Sequence, residues 1–187
     1  MSERKVSIDR QRLDLSDPFI VLATQNPLEF QGTFPLPESQ LDRFLVSLEL
    51  GYPPKEEERN LLLSGGVETI LAELEPVLER QELLELQDRV STIRVADKLA
   101  DYMLAIADCT RYGDRFSLGV STRAAQNLFR ATQALAFCEG RDFATPDDVQ
   151  RLVVPVLAHR VHLPTAAGLG ATRSALRQVL AEVPVPL

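Results

Sequence analysis

The stretch STRAAQNLFRATQALAFCE, residues 121–139, decides the fold class of this chain. Its apolar residues recur at the spacing that places them along one side of a helix: Ala124, Leu128, Ala131, Leu135 and Cys138. Ser121 is a favourable N-cap before this run, and Gly140 suits the position just after a helix. The pattern predicts a long amphipathic helix that packs one face into a core. Cys138 and Cys109 are expected to be core residues, because each lies on an apolar stripe.

Helical patterns continue on both sides of this stretch. Spacing of apolar residues predicts further helices over 96–112, from Thr145 to near His159, and over 172–182, with shorter ones after Pro54 and over 79–90. Thr145-Pro146-Asp147-Asp148 combines an N-cap, a proline at the first helical position and a variant capping box. The chain is therefore predicted to be mainly α, with a helical bundle over most of its length.

The first fifty residues have a different pattern. Alternating apolar residues over 6–15 predict a hairpin, the apolar run over 19–24 predicts a strand buried on both faces, 38–44 predict a short helix, and 45–50 predict a second strand. A strand buried on both faces needs neighbouring strands and covering helices. Either this piece ends an α/β domain whose remainder lies upstream of Met1, or it is a small α+β unit that supports the helices. The pattern alone leaves both open.

Composition excludes several classes of function. The formal net charge is −7, which argues against nucleic-acid binding and against binding to anionic membranes. No apolar run approaches the length of a membrane-spanning helix, so no membrane insertion is expected. Two cysteines are too few for a disulfide framework, which favours a reducing, cytoplasmic setting. No metal site is predicted, since His159 and His162 have no acidic or cysteine partner nearby.

Several motifs together resemble the MoxR family of AAA+ ATPases. They occur in the family's order and span essentially the whole chain: ATQNP at 23–27, GTFPLPE at 32–38, QLDRF at 40–44, GYP at 51–53, STRA at 121–124, and GRDF followed by TPDDV within 140–149. The resemblance implies that residues 1–52 are the C-terminal portion of a P-loop α/β core, with a hairpin, strand, short helix and strand. Residues 53–187 would be the all-helical lid domain. The sequence contains no G-x-x-x-x-G-K-[ST] phosphate loop, so the chain is expected to be the second half of the ATPase module.

The resemblance also implies roles for individual residues. Asn26 matches the sensor 1 asparagine, which would orient the attacking water at the end of a strand; as an ordinary residue it would only start a turn before Pro27. Arg43 matches the arginine finger, which would reach a neighbouring subunit's nucleotide; as an ordinary surface arginine it would form an ion pair. Arg123 matches sensor 2, in the first turn of its helix, where backbone N–H groups already favour an anion. The hairpin resembles the insertion that precedes sensor 1.

The function implied for the full protein is hydrolysis of Mg²⁺-ATP in a ring of identical subunits, expected to be a hexamer. The ring would drive chaperone-like remodelling or insertion of a metal cofactor, with a von Willebrand factor A domain protein as partner. This chain alone is expected to be inactive. Two alternatives remain open at this point. One is a free-standing helical interaction module without nucleotide chemistry, and the other is a subunit like the ATPase of magnesium chelatase.

Overall fold

The computed structural model describes residues 5–8, 11–25, 36–63, 71, 74–165 and 168–186. In chain order its elements are β1 (Lys5–Ile8), β2 (Gln11–Asp14), α1 (Glu38–Leu41), α2 (Lys55–Leu63), α3 (Arg80–Val90), α4 (Asp97–Arg111), α5 (Thr122–Cys138), α6 (Pro146–Leu157) and α7 (Leu169–Glu182). The described part of the chain is thus mainly α, as predicted. None of the helices within these ranges is long and apolar enough to cross a membrane.

Helices α4, α5, α6 and α7 enclose the core of the described residues. Helix α5 packs between α4 and α6, α7 contacts both α6 and α4, and α3 lies against α5. The largest side chains at the centre are almost fully buried: Ile106, Leu128, Leu157 and Leu176. Burial of each such side chain stabilises the fold by roughly 1.5–3 kcal/mol. The bundle therefore has a continuous core of its own.

The apolar stripes predicted from sequence are largely those that are buried. On α4, the apolar residues whose spacing predicts the helix over 96–112 are all buried: Leu99, Tyr102, Met103, Ile106 and Ala107. On α5, Ala124, Leu128 and Ala131 are buried as predicted. The expectation that the two cysteines are core residues is wrong. Cys109 and Cys138 are exposed, because each lies in the last turn of its helix, beside the buried stripe rather than on it.

The helix ends also match the sequence signals. Ser121 Oγ accepts a hydrogen bond from the N–H of Ala124 at 3.1 Å. Gly140 follows α5 with a φ of 75°, and the next N–H, that of Arg141, reaches back to the carbonyl oxygen of Ala136 at 3.0 Å. This left-handed glycine closes the helix in the Schellman arrangement. Thr145 and Asp148 form the predicted capping box at the start of α6.

The N-terminal segment follows the prediction only in part. Strands β1 and β2 form the predicted antiparallel hairpin, with Val6 opposite Leu13, and α1 is the predicted short helix. The predicted strands over 19–24 and 45–50 are absent. Both stretches are described but belong to no sheet, and Leu22 and Leu50 are 86% and 97% exposed. A strand needs a hydrogen-bonding neighbour, and no described residue supplies one. Leucines of α2 are likewise exposed.

Polar contacts fasten this segment to the bundle. The N–H of Ser47 donates to the carbonyl oxygen of Pro155 in α6 at 2.8 Å. Glu49 forms an ion pair with Arg173 of α7, and Arg80 of α3 donates to the carbonyl oxygen of Asp17. Residues 42–50 therefore lie along the side of the bundle formed by α6 and α7.

Candidate functional site

Two of the three predicted site residues lie in the described part of the chain. Asn26 falls outside the described residues. Arg43 lies in the turn that follows α1, where its N–H donates to the carbonyl oxygen of Gln40 at 3.1 Å. Its side chain is exposed.

Arg123 lies in the first turn of α5 and is exposed. The first turn of a helix presents N–H groups that have no acceptor within the helix, and the helix dipole favours an anion there. Ser121 satisfies the N–H of Ala124, and the N–H groups of Thr122 and Arg123 have no acceptor within the helix. No described residue forms an ion pair with Arg123. This helix start can bind a phosphate group through backbone and guanidinium donors together.

Arg160 contacts residues close to both Arg43 and Arg123, and it was not singled out from the sequence. It follows α6 directly, and its side chain is only 1% exposed. The guanidinium donates to the carbonyl oxygen of Phe44 and lies 3.8 Å from the carboxylate of Asp42. With the amide of Asn127 oriented to satisfy both groups, its oxygen accepts from the two terminal nitrogens of Arg160 at 2.7 and 2.8 Å. A buried charge is tolerated only with this kind of pairing.

The pKa of Arg160 is lowered by the position of its side chain in the fold. Burial lowers the pKa of the guanidinium, the Asp42 carboxylate raises it, and the positive charge of Arg123 lowers it further. A signal in the sequence could have indicated this residue, because Arg160 follows the apolar run VVPVLA at 153–158 and precedes Val161.

His159 contributes to the same junction. Its Nε2 lies 2.9 Å from the carbonyl oxygen of Phe44 and 3.1 Å from Nε of Arg160. Its Nδ1 is buried without a hydrogen-bond partner among the described residues. Burial lowers the pKa of His159, the Phe44 carbonyl raises it, and the charge of Arg160 lowers it further. The histidine is therefore a neutral group that contacts the segment carrying Arg43.

Arg43 and Arg123 are thus connected by way of Arg160, which contacts neighbours of both residues. Asp42 and Phe44, which contact Arg160, are the residues on either side of Arg43. Asn127, which also contacts Arg160, follows Arg123 by one helical turn. The structure therefore links the helix start that carries Arg123 to the turn that carries Arg43.

A second charged cluster, around Arg141, has a structural role. The guanidinium of Arg141 contacts both oxygens of the buried Asp148 carboxylate at 2.6 and 2.8 Å and also binds Glu139. Burial opposes ionisation of Asp148, but hydrogen bonds from Arg141 and Thr145 outweigh it and lower the pKa of that carboxyl. All of these groups are satisfied by one another, so the cluster holds the α5–α6 connection rather than a ligand.

The described residues offer positive charge for phosphates but no carboxylate cluster for Mg²⁺. No group of three or more His, Cys, Asp and Glu within these ranges could hold a metal ion. An exposed positive charge lies on Arg123, at the start of α5.

Comparisons with known proteins identify the family of the chain. Residues 1–46 match the family described as ATPase family associated with various cellular activities, and residues 110–179 match the AAA lid domain. The chain is 40% identical over its whole length to the protein YeaC of Bacillus subtilis and 37% identical over 87% of its length to the chaperone MoxR1 of Mycobacterium tuberculosis. The chain belongs to the MoxR family of AAA+ ATPases. A solved structure of a Cytophaga hutchinsonii protein assigned as an ATPase covers all of this MoxR-family chain at 30% identity with a TM-score of 0.83.

The MoxR-family chain spans only part of its relatives. It covers 59% of YeaC, 45% of MoxR1 and 60% of the Cytophaga hutchinsonii chain. The matched lid region, residues 110–179, includes Arg123, Asn127 and Arg160, and the matched ATPase region, residues 1–46, includes Asn26 and Arg43.

Proposed function

We propose that this chain supplies the sensor and arginine-finger half of a MoxR-family ATPase. Residues 1–52 form the last part of the α/β core, and residues 53–187 form the helical lid. The observation that carries the proposal is the exposed Arg123 in the first turn of α5, joined through Arg160 to the turn that bears Arg43. Such a junction supports the proposal, because it connects an exposed arginine at a helix start with an exposed arginine in the turn after α1.

In this proposal the residues act on the γ-phosphoryl transfer from ATP to water. Asn26 orients the attacking water. Arg123 binds the phosphates held by its own subunit, and Arg43 stabilises the charge that develops on the phosphoryl group in the neighbouring subunit. An arginine finger is worth roughly 10³–10⁵ in rate in other phosphoryl-transfer systems. Mg²⁺ neutralises the phosphate charge when it is bound with ATP.

The assembly proposed for the full protein is a cytoplasmic ring of identical subunits, most simply a hexamer. The name of MoxR1 describes that relative as a chaperone, which supports a role in protein remodelling; insertion of a metal cofactor and a von Willebrand factor A domain partner belong to the same proposal. The chain contains no phosphate loop, so by itself it should not hydrolyse ATP. Turnover by the purified 187-residue chain would contradict this part of the proposal.

The test uses a reconstituted ATPase, in which this chain follows the phosphate-loop half of a MoxR relative. Steady-state ATP hydrolysis is measured for Asn26→Ala, Arg43→Ala and Arg123→Ala. Arg177→Ala is the matched control, since Arg177 is exposed on α7. Arg43→Ala and Asn26→Ala should lower kcat by at least about 100-fold, whereas Arg123→Ala should also raise KM for ATP. Unchanged rates in all three variants would leave the chain with the fold but without the proposed function.

A further inference from the structure

The side chain of Arg160 contacts two other parts of the chain, the turn that contains Asp42 and Phe44 and the helix α5. Its guanidinium donates to the carbonyl oxygen of Phe44, lies 3.8 Å from the carboxylate of Asp42, and contacts the amide oxygen of Asn127 at 2.7 and 2.8 Å. With 1% of the side chain exposed, Arg160 cannot itself reach a nucleotide on a neighbouring subunit. Its donors are directed to other residues of the chain.

Two of the residues that Arg160 contacts flank Arg43 in the chain. Asp42 precedes Arg43 and Phe44 follows it. Within the turn, short local hydrogen bonds run from Arg43 N–H to the Gln40 carbonyl at 3.1 Å and from Phe44 N–H to the Leu41 carbonyl at 3.0 Å. A single turn of helix is marginal without tertiary contacts. The contacts of Arg160 with Phe44 and Asp42 give tertiary support to the backbone on either side of Arg43.

The geometry points to Arg160 as a positioning residue for Arg43, fixing the backbone turn so that Arg43 reaches the ATP of the neighbouring subunit. This inference rests on the proposed function, because it gives Arg160 a task only if Arg43 acts as the finger. It goes beyond that function because it makes Arg160, a residue of the proposed lid domain, responsible for the position of Arg43 in the proposed core segment. An arginine suits the task because its planar fork serves the carbonyl, the carboxylate and the amide oxygen together, which a lysine cannot do.

The first arm of the test measures steady-state hydrolysis by the reconstituted ATPase carrying Arg160→Gln, Arg160→Lys or the control Arg177→Gln. A small displacement of a group that stabilises the transition state lowers turnover by about 10- to 100-fold. Arg160→Gln should therefore lose about that factor in kcat while KM for ATP changes by less than about threefold. Arg160→Lys should regain only part of the rate, and Arg177→Gln should match the wild type.

The second arm separates positioning of Arg43 from a general loss of structure. Arg160→Gln subunits are mixed with subunits whose phosphate loop is inactivated but whose Arg43 and Arg160 are intact. At a mixed interface the nucleotide held by an Arg160→Gln subunit receives a correctly placed Arg43 from its neighbour. Turnover of the mixture should then exceed that of either protein alone. No gain on mixing would mean that Arg160 serves its own subunit's nucleotide or the fold, and would overturn the inference.

A further variant keeps the test decisive if Arg160→Gln fails to assemble. Asn127→Ala removes one acceptor from Arg160 within helix α5, where alanine is the most favourable residue. It should show a smaller loss of kcat with the same gain on mixing, and wild-type kcat in this variant would overturn the inference. If Arg43→Ala loses turnover but Arg160→Gln does not, only the positioning role is wrong. If Arg43→Ala keeps full turnover, the proposed function itself is wrong.

Discussion

Leu128 in α5 is 1% exposed, whereas Leu22 in the N-terminal segment is 86% exposed. The two regions contain similar apolar residues but differ in what completes them. Each helix of the bundle satisfies its own backbone hydrogen bonds and needs only a packed face, which its neighbours in the chain provide. An extended run satisfies neither its backbone nor its side chains without other strands. The comparison identifies the bundle as the self-sufficient region, and the described stretches 19–25 and 36–50 as regions that lack strand neighbours of their own.

The largest effect should separate the two regions directly. Leu128→Ala should lower the free energy of unfolding by about 3–4 kcal/mol, because it opens a cavity in the core. Leu62→Ala in α2 should change it by less than about 0.5 kcal/mol, because that side chain already faces solvent. Urea unfolding of the purified chain, followed by circular dichroism, measures both. Equal losses would mean that α2 packs in solution and would break the comparison.

The next largest loss in the free energy of unfolding should follow from removing a polar contact inside the bundle. Asp148→Ala should lower the free energy of unfolding by about 2–3 kcal/mol, since the buried carboxylate accepts from Arg141 and from Thr145. Asp147→Ala is the matched control, because Asp147 is the exposed neighbour in the same helical turn. It should lose less than about 1 kcal/mol. Similar losses at both positions would show that the helix dipole, not the buried pair, carries the stabilisation.

A smaller effect should appear at the start of α5. Ser121→Ala removes the oxygen that accepts from the N–H of Ala124, and the loss should be about 1 kcal/mol in thermal or urea unfolding. Thr122→Ala, one residue further along and exposed, should change stability by less than about 0.5 kcal/mol. If Ser121→Ala is neutral, the first turn that carries Arg123 is not fixed by its cap.

The smallest effect should depend on pH and should come from the junction between the two regions. His159 has a lowered pKa in the folded chain because it is buried, while its unfolded value is about 6.5. The unfolded chain therefore binds the extra proton first, so the contribution of His159 is complete above about pH 6.5 and is lost as the pH falls below it. His159→Asn should reduce the drop in stability between pH 7.5 and pH 5.5 by less than about 1 kcal/mol. An unchanged drop would mean that His159 does not contribute.

Most of the bundle could be predicted from the sequence because its signals are local. The stripe on α4, the cap at Ser121 and the capping box at Thr145 each depend on residues within a few positions of one another. The runs over 19–24 and 45–50 carry an equally clear strand pattern, and yet neither forms a strand. Pairing of strands depends on residues elsewhere in a sheet, which no local pattern contains.

The candidate site divides in the same way. Arg43 and Arg123 could be proposed from motifs. Arg123 lies at the predicted helix start, whereas Arg43 lies in the turn after α1 and not within a helix over 38–44. The link between them could not be proposed in this way, because Arg160 meets Phe44 and Asn127 only after the chain has folded. Residues as far apart in the chain as Phe44, Asn127 and Arg160 produce no periodic pattern in the sequence. The buried charge within an apolar run was the one indication.

The most direct test of the central claim is a mixing experiment on the reconstituted ATPase with Arg43→Ala. This variant is combined with subunits whose phosphate loop is inactivated, and ATP hydrolysis is measured across a range of mixing ratios. If Arg43 acts on the neighbouring subunit, neither protein alone should turn over and the mixture should regain activity, with a maximum at intermediate ratios. If the mixture stays inactive, or if Arg43→Ala alone hydrolyses ATP at the wild-type rate, Arg43 is not a finger acting between subunits.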